Sequence, residues 1–125
     1  MKIRQLDPET ERSVMSFLAL IAGSYNIECA IVYGSRARGT HSPDSDADVA
    51  VLLNGEHQRV MTTILAMADI AYDVLIDTGI NITPLPVWVD EWEHPETHSN
   101  PALLENIRNE GIRLSMPEGQ HHEKI

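Results

Sequence analysis

The sequence has few of the features that mark secreted, disulfide-stabilised or membrane proteins. Its single cysteine, Cys29, excludes an internal disulfide, and it lies in an apolar run where we expect a reduced, buried thiol. No apolar run approaches the roughly 18 residues of a membrane-spanning helix. The first residues, MKIRQLDPETE, lack the apolar stretch of a secretion signal. We therefore expect a cytoplasmic protein that does not bind a membrane.

Basic residues are also scarce. Nine Lys and Arg stand against nineteen Asp and Glu, which gives a formal net charge of −10, and the basic residues form no cluster. This charge repels a polyanion, so direct nucleic-acid binding is not expected, whereas a basic protein partner would be attracted. The same charge is also compatible with solubility as its only role.

The length of 125 residues suits one domain with one core. No internal repeat or low-complexity linker divides the chain. We predict a single domain over residues 1–115 and a flexible tail over residues 116–125. Any large partner must therefore be another chain.

Three segments have the pattern of helices. Asp7 and Pro8 are typical of an N-cap and first helical residue, and they predict a helix over about residues 8–23. A long amphipathic helix ends near Gly79. Its predicted buried stripe consists of Val60, Ile64, Met67, Ala68, Ala71 and Leu75. Asn100 and Pro101 begin a final helix that ends at Gly111.

Three further segments have strand character, namely Cys29–Tyr33, Asp46–Leu53 and Ile80–Val89. The first is a short apolar run that ends at Gly34, as in a buried strand. In the third, Pro84 and Pro86 each remove a hydrogen-bond donor from the ladder, which favours a sheet edge or an irregular strand.

The segment from Gly34 to Asp48, GSRARGTHSPDSDAD, contains the chemically informative residues. A glycine at the end of a buried strand lets backbone N–H groups approach a phosphate closely, and Ser35 would place its hydroxyl and amide at the start of a helix. This arrangement suits a triphosphate. A Gly-Ser pair also occurs in strand-to-helix turns for geometry alone.

Asp46 and Asp48 lie two residues apart on a predicted strand, so their carboxylates point to the same face, roughly 6–7 Å apart along it. Such a pair can bracket two metal ions, one activating an attacking hydroxyl and the other neutralising a departing pyrophosphate. A solvated strand face is the alternative interpretation. Mutual repulsion of the carboxylates favours a bound cation. Val49 and Val51, on the other hand, would lie in the core.

The spacing of Gly34-Ser35, ten residues and then Asp46-Ala47-Asp48 resembles the signature of the DNA polymerase β superfamily of nucleotidyltransferases, and specifically of its minimal members. Arg36 and Gly39 extend the resemblance, as does Ser45 immediately before Asp46. The resemblance is specific over about residues 29–53 and looser elsewhere.

This resemblance implies an α/β (α+β) fold with a small mixed β-sheet flanked by helices, and the signature on the first two strands. It implies transfer of a nucleoside monophosphate from ATP or another NTP with Mg²⁺ or Mn²⁺. By family analogy, Gly34 and Ser35 contact the phosphates, and Asp46 and Asp48 are the catalytic, metal-binding residues. Arg36 or Arg38 would neutralise phosphate charge, although loop arginines are equally often only solvated.

The sequence departs from the family at the third metal-binding carboxylate, which full catalysts carry on a later strand. The corresponding segment here, INITPLPVWV, offers Asn81 and Thr83 but no acid. Asn81 can coordinate weakly but is a poor proton acceptor. Four nearby acids lie outside this segment: Asp73, Asp77, Asp90 and Glu91.

Short proteins with this signature resemble antitoxins encoded beside HEPN-domain ribonuclease toxins, which bind the toxin and in some members add AMP to one of its tyrosines. The resemblance therefore implies an enzyme that transfers AMP from ATP to a protein hydroxyl as the antitoxin of a HEPN toxin, and we expect a hetero-oligomer with that toxin. The alternatives are a non-catalytic module that neutralises the toxin by binding, and transfer to a small molecule such as an aminoglycoside, for which this chain is short.

The remaining polar and aromatic candidates are less specific. His41 could contact phosphate or simply be solvated, and none of the histidines has the spacing of a zinc site. Trp88 and Trp92 could anchor a partner, but burial against the long helix is the favoured interpretation.

Overall fold

A computed structural model describes residues 5–116. In chain order the elements are α1 (Pro8–Ile21), β1 (Ile27–Tyr33), α2 (Ser35–Arg38), β2 (Ala47–Leu53), α3 (Val60–Thr78), β3 (Ile82–Trp88), α4 (Val89–Glu93), a 3₁₀ turn (Pro95–Thr97), α5 (Pro101–Glu110) and β4 (Ile112–Leu114). No helix within this span is long and apolar enough to cross a membrane.

The predicted helix starts are confirmed, and side chains make the caps. The Asp7 carboxylate accepts the Thr10 N–H at 3.0 Å and the Thr10 hydroxyl at 2.7 Å. The Asn100 side chain accepts the Leu103 N–H at 3.2 Å in the same way. Each cap satisfies a backbone donor that has no partner inside its helix. Helix α1 ends at Ile21, two residues before the predicted end.

The sheet is mixed, as expected, with strand order β3-β2-β1-β4. Strand β1 runs antiparallel to β2 and β4, and β2 runs parallel to β3, with α3 as the crossover. The position of β3 at an edge agrees with Pro84 and Pro86, which cannot donate to a second neighbour. The short edge strand β4 was not predicted.

Both faces of the sheet are covered by helices. On one face, Val49 and Val51 pack in a cluster with residues of α1 and α3, as predicted for these two valines. On the other face, Ala50 and Leu52 pack with residues of α4 and α5. Asp48, two residues before Ala50 on the strand, is on this second face and is half-buried.

Helix α3 has its predicted bounds, but its predicted buried stripe is partly wrong. The buried residues are Thr63, Met67, Ala71 and Val74. Val60 and Ala68 are exposed, and Ile64 and Leu75 are only half-buried. The error has a physical reason: α3 carries apolar residues around most of its circumference, so periodicity could not single out the face that meets the sheet.

Other predictions concern single residues. Cys29 is buried as expected, and burial raises the pKa of its thiol. Trp88 is buried in the α1 and α3 cluster, but Trp92 is buried in the opposite cluster rather than against α3. The predicted tail lies outside the described residues except for Met116, which is buried in the first cluster.

Candidate active site

Strand pairing brings the two halves of the Gly34–Asp48 signature together. Tyr33, the last residue of β1, is paired with Asp48 near the start of β2. Gly34 follows directly, with φ +77° and ψ −156°, a region that only glycine enters readily. A Cβ atom at Gly34 would collide with Oδ2 of Asp48. The backbone conformation therefore favours glycine, and any larger residue would also displace the Asp48 carboxylate.

The chain turns from Gly34 into the short helix α2, so Ser35 stands at a helix start as the sequence predicted. The Gly34 carbonyl accepts the N–H groups of Ala37 and Arg38 at 3.1 and 3.0 Å. Ser35 itself is half-buried. Its predicted contact with phosphate stays a prediction.

Asp46 is exposed just before β2, and Asp48 is half-buried on the strand. Burial raises the pKa of Asp48, and the charges of Asp46 and Glu110 raise it further, while Arg38 lowers it. Burial and the Asp48 charge likewise raise the pKa of Tyr33 to about 12, so its phenol stays neutral at physiological pH. The negative charge at this edge is thus not balanced by the neighbouring positive charge of Arg38, and we call this an under-compensated acidic edge. A divalent cation bound here would stabilise the ionised carboxylates.

The two arginines of α2 have different roles. Arg36 is only 3% exposed. Its guanidinium donates to the Thr10 hydroxyl at 2.7 Å and to three carbonyl groups of the following loop, those of Ser42, Pro43 and Ser45. These bonds fix the loop against α1 and leave the guanidinium facing inward. The placement argues against the predicted role of Arg36 in neutralising phosphate.

Arg38 is the accessible cation, with a side chain 48% exposed. It donates to both carboxylate oxygens of Glu110, at 3.1 and 3.2 Å. Glu110 also accepts the Gly34 N–H at 3.0 Å. The Glu110 carboxylate therefore accepts the hydrogen bond of the Gly34 N–H, the donor that was predicted to face a phosphate. No local pattern in the sequence points to Glu110, which lies 76 residues from Gly34 at the end of α5.

The segment that was expected to carry a third carboxylate lies beside Asp48, as strand β3. Thr83 pairs with Asp48 across the parallel β2–β3 ladder. The Asn81 carbonyl accepts the Ala47 N–H at 2.8 Å, so Asn81 is also adjacent. Neither residue is an acid. Within residues 5–116, no three or more His, Cys, Asp or Glu side chains come close enough to hold a metal together.

His41 lies in the signature loop but points toward α1, with Nε2 3.3 Å from the Asp7 carboxylate. The contact adds to the α1 cap rather than to the acidic edge. Of the other acids considered above, Asp77 lies in a pocket beside the signature loop, whereas Asp90 is distant from the acidic edge. Asp90 follows the far end of β3, where it contacts His57 at 2.7 Å.

Comparisons with known proteins indicate which family the chain belongs to. A family model described as polymerase beta, nucleotidyltransferase matches residues 18–87, a span that includes the signature. A crystal structure from Sulfolobus solfataricus, designated a nucleotidyltransferase, is similar at a TM-score of 0.56 and 18% identity, covering 89% of this chain and 86% of that one. No curated protein matches at a significant level.

Two toxin–antitoxin structures are also similar in fold. One, with AMP-PNP, has a TM-score of 0.59 and 17% identity, covering 86% of this chain and 74% of that one. The other, a mutant of MntA-HpeT, has a TM-score of 0.58 and 18% identity, covering 91% and 76%. Identities this low show the fold, whereas the family model spans more than half of the sequence. The chain belongs to the polymerase beta nucleotidyltransferase family.

Proposed function

We propose that this protein transfers AMP from ATP to a hydroxyl group of a protein, as the antitoxin of a HEPN-domain ribonuclease toxin, in the cytoplasm. The observation that carries the proposal is the juxtaposition of Gly34 with Asp48 at an under-compensated acidic edge. The similarity in fold to a toxin–antitoxin structure with AMP-PNP supports ATP as the donor and a toxin as the acceptor.

In the proposed reaction, Asp46 and Asp48 hold Mg²⁺ or Mn²⁺, which would neutralise charge on the triphosphate and on the leaving pyrophosphate. Arg38 and the amides around Gly34 and Ser35 orient the phosphates. The acceptor oxygen forms a bond to the α-phosphorus as the bond to pyrophosphate breaks, and the hydroxyl proton is released to water. If a phosphate accepts the Gly34 N–H, the hydrogen bond from this N–H to the Glu110 carboxylate must break.

The direct test is to incubate the full chain with Mg²⁺, ATP labelled on its α-phosphate, and the product of the neighbouring toxin gene. We expect label on the toxin with the parent protein and none with the Asp46→Ala, Asp48→Ala double variant. Asp44→Ala is the matched control, because Asp44 is an exposed acid of the same loop to which no phosphate or metal contact is assigned. Labelling that survives the double substitution would overturn the proposal.

A second candidate function is a non-catalytic antitoxin that neutralises the toxin by binding. Thr83 opposite Asp48, where an acid would complete the metal site, favours this candidate. Thr83→Asp separates the two. If the parent protein labels no toxin but still binds it, and Thr83→Asp introduces labelling, the chain is a nucleotidyltransferase that lacks only this carboxylate. Labelling by the parent protein would reject the second candidate.

A further inference from the structure

The outer face of α3 carries a stripe of large apolar side chains that the described fold does not cover. Met61, Leu65, Tyr72 and Ile76 are 63%, 62%, 59% and 69% exposed. At 3.6 residues per turn these four positions fall within an arc of about 60° and follow one another along the helix. We call these four residues the apolar stripe.

The apolar stripe differs from the scattered exposed apolar residues of ordinary protein surfaces because its members are contiguous. Single exposed apolar residues are common, but a contiguous row of them on a soluble protein marks an interaction surface. Of the six large hydrophobic side chains exposed within residues 5–116, only Leu20 lies outside α3. An apolar face opposite the buried face of the same helix indicates that α3 is covered on both sides in its working state.

Charge along α3 indicates what covers it. Asp69, Asp73 and Asp77 are exposed and succeed one another every four residues, so they form an acidic row beside the apolar stripe. The helix contains no Lys, Arg or His to offset them. The opposite margin, with Ile64 and Leu75, is apolar and half-buried. The surface therefore has one acidic and one apolar margin.

A second copy of the chain is a poor occupant. If two copies of α3 packed antiparallel about a two-fold axis, each acidic row would face the other acidic row. If they packed parallel, each row of carboxylates would face the partner's apolar margin and lose solvent. The net charge of −10 per chain opposes either pairing.

We infer that the outer face of α3 is a docking surface for an amphipathic helix of a different protein, one with an apolar stripe flanked on one side by Lys or Arg. Helix spacing along the apolar stripe matches the i, i+4 rows of a packed helix pair. The buried face of α3 lies against the sheet face opposite Asp48. A helix docked on α3 would therefore leave the acidic edge open, and the inference does not depend on AMP transfer.

Two designed helical peptides of about 18 residues, or five turns, test the inference. Both carry Leu along one face; one carries Lys beside it and the other carries Glu at the same positions. Binding to the full chain is followed by fluorescence anisotropy. We expect the Lys peptide to bind, with affinity falling in high salt, and the Glu peptide to show no binding.

Variants separate docking from general attraction between opposite charges. Leu65→Ser with Tyr72→Ser should weaken Lys-peptide binding by about tenfold or more. Asp69→Asn, Asp73→Asn and Asp77→Asn together should weaken binding and reduce its salt dependence. Leu20→Ser, an equally exposed leucine on α1, is the control and should change nothing. Circular dichroism verifies that each variant keeps the parent's helix content.

Three results would overturn the inference: no binding of the Lys peptide, binding that the serine substitutions leave unchanged, or a dimer of the parent chain in sedimentation that these substitutions dissociate. The last result would assign the surface to a second copy. The assay uses neither ATP nor toxin, so its outcome is independent of the labelling experiment.

Discussion

At the two ends of the sheet, the pKa of an aspartate is shifted in opposite directions. At the end where β1 meets Gly34, burial and neighbouring acids raise the pKa of Asp48. At the far end, a hydrogen bond with His57 lowers the pKa of exposed Asp90, and the His57 ring stacks on Trp88 with ring centroids 5.0 Å apart. One end compensates its charge within the protein, whereas the other does so only in part, through Arg38. Charge left unfavourable in the apo fold is typical of a binding or catalytic edge.

The largest expected effect comes from Gly34→Ala. The new Cβ would meet the Asp48 carboxylate in a backbone conformation that alanine avoids, so either the loop or the carboxylate must shift. We expect toxin labelling to fall by about 100-fold or more, since small displacements of reacting groups have effects of this size. Unfolding in urea should show a loss of stability of about 2 kcal/mol.

Gly79→Ala, at the C-terminal end of α3, is the matched control. Gly79 also has a positive φ, +82°, but no atom lies within 4 Å of the position that its Cβ would take. This variant should lose about 1 kcal/mol and keep full labelling. Equal loss of labelling in both variants would show that backbone strain alone, and not the contact with Asp48, explains the requirement at Gly34.

Arg36→Met should lower the free energy of unfolding by about 3 kcal/mol, because it removes a buried cation and leaves the loop carbonyls without their donor. Arg38→Met should cost well under about 1 kcal/mol, since its ion pair is exposed. Urea titrations of the two variants make the comparison. If both lose the same stability, the distinction between an inward, structural arginine and an accessible one is wrong.

Glu110→Gln should raise the affinity for a non-hydrolysable ATP analogue by about fivefold, or roughly 1 kcal/mol. The substitution removes a negative charge from beside Asp48 and loosens the carboxylate's hold on Arg38 and on the Gly34 amide. Calorimetry with Mg²⁺ present measures the change, and Glu105→Gln, an exposed acid of the same helix, is the control. A fall in affinity would instead indicate that Glu110 helps to hold the cation.

Much of the fold was predictable because its elements carry local signals. Side-chain caps at Asp7 and Asn100 set two helix starts, and short apolar runs between turns set β1 and β2. The strand β4 and the helix α4 were missed because three and five residues are too short for a periodic pattern. The stripe of α3 was misassigned because the helix has a second apolar face.

The site was predictable only where its residues are close in sequence. Gly34 and Asp48 are brought together by one antiparallel pairing that the turn between them favours. By contrast, nothing local distinguishes Arg36 from Arg38, since burial depends on contacts with α1 and the following loop. Glu110 reaches Gly34 only through the packing of α5, so no spacing rule could have found it.

The smallest expected effects are shifts in Tm on replacing Asp48 or Asp90 by asparagine. Both variants are measured first with metal removed by chelation, and Mg²⁺ is then added back. Because the folded pKa of Asp90 lies below its ordinary value of 3.8, ionised Asp90 stabilises the fold above that pH and loses this effect as pH falls through the folded pKa. Asp90→Asn should therefore lower Tm slightly at pH 7, with the difference disappearing on acidification.

For Asp48 the effect of ionisation on stability has the opposite sign. Because the folded pKa of Asp48 is raised, ionisation of its carboxyl costs stability above that pKa. Asp48→Asn should raise Tm at pH 7, and Mg²⁺ should raise the Tm of the parent but not of this variant. Tm shifts of the same sign in the two variants would remove the contrast between the ends of the sheet.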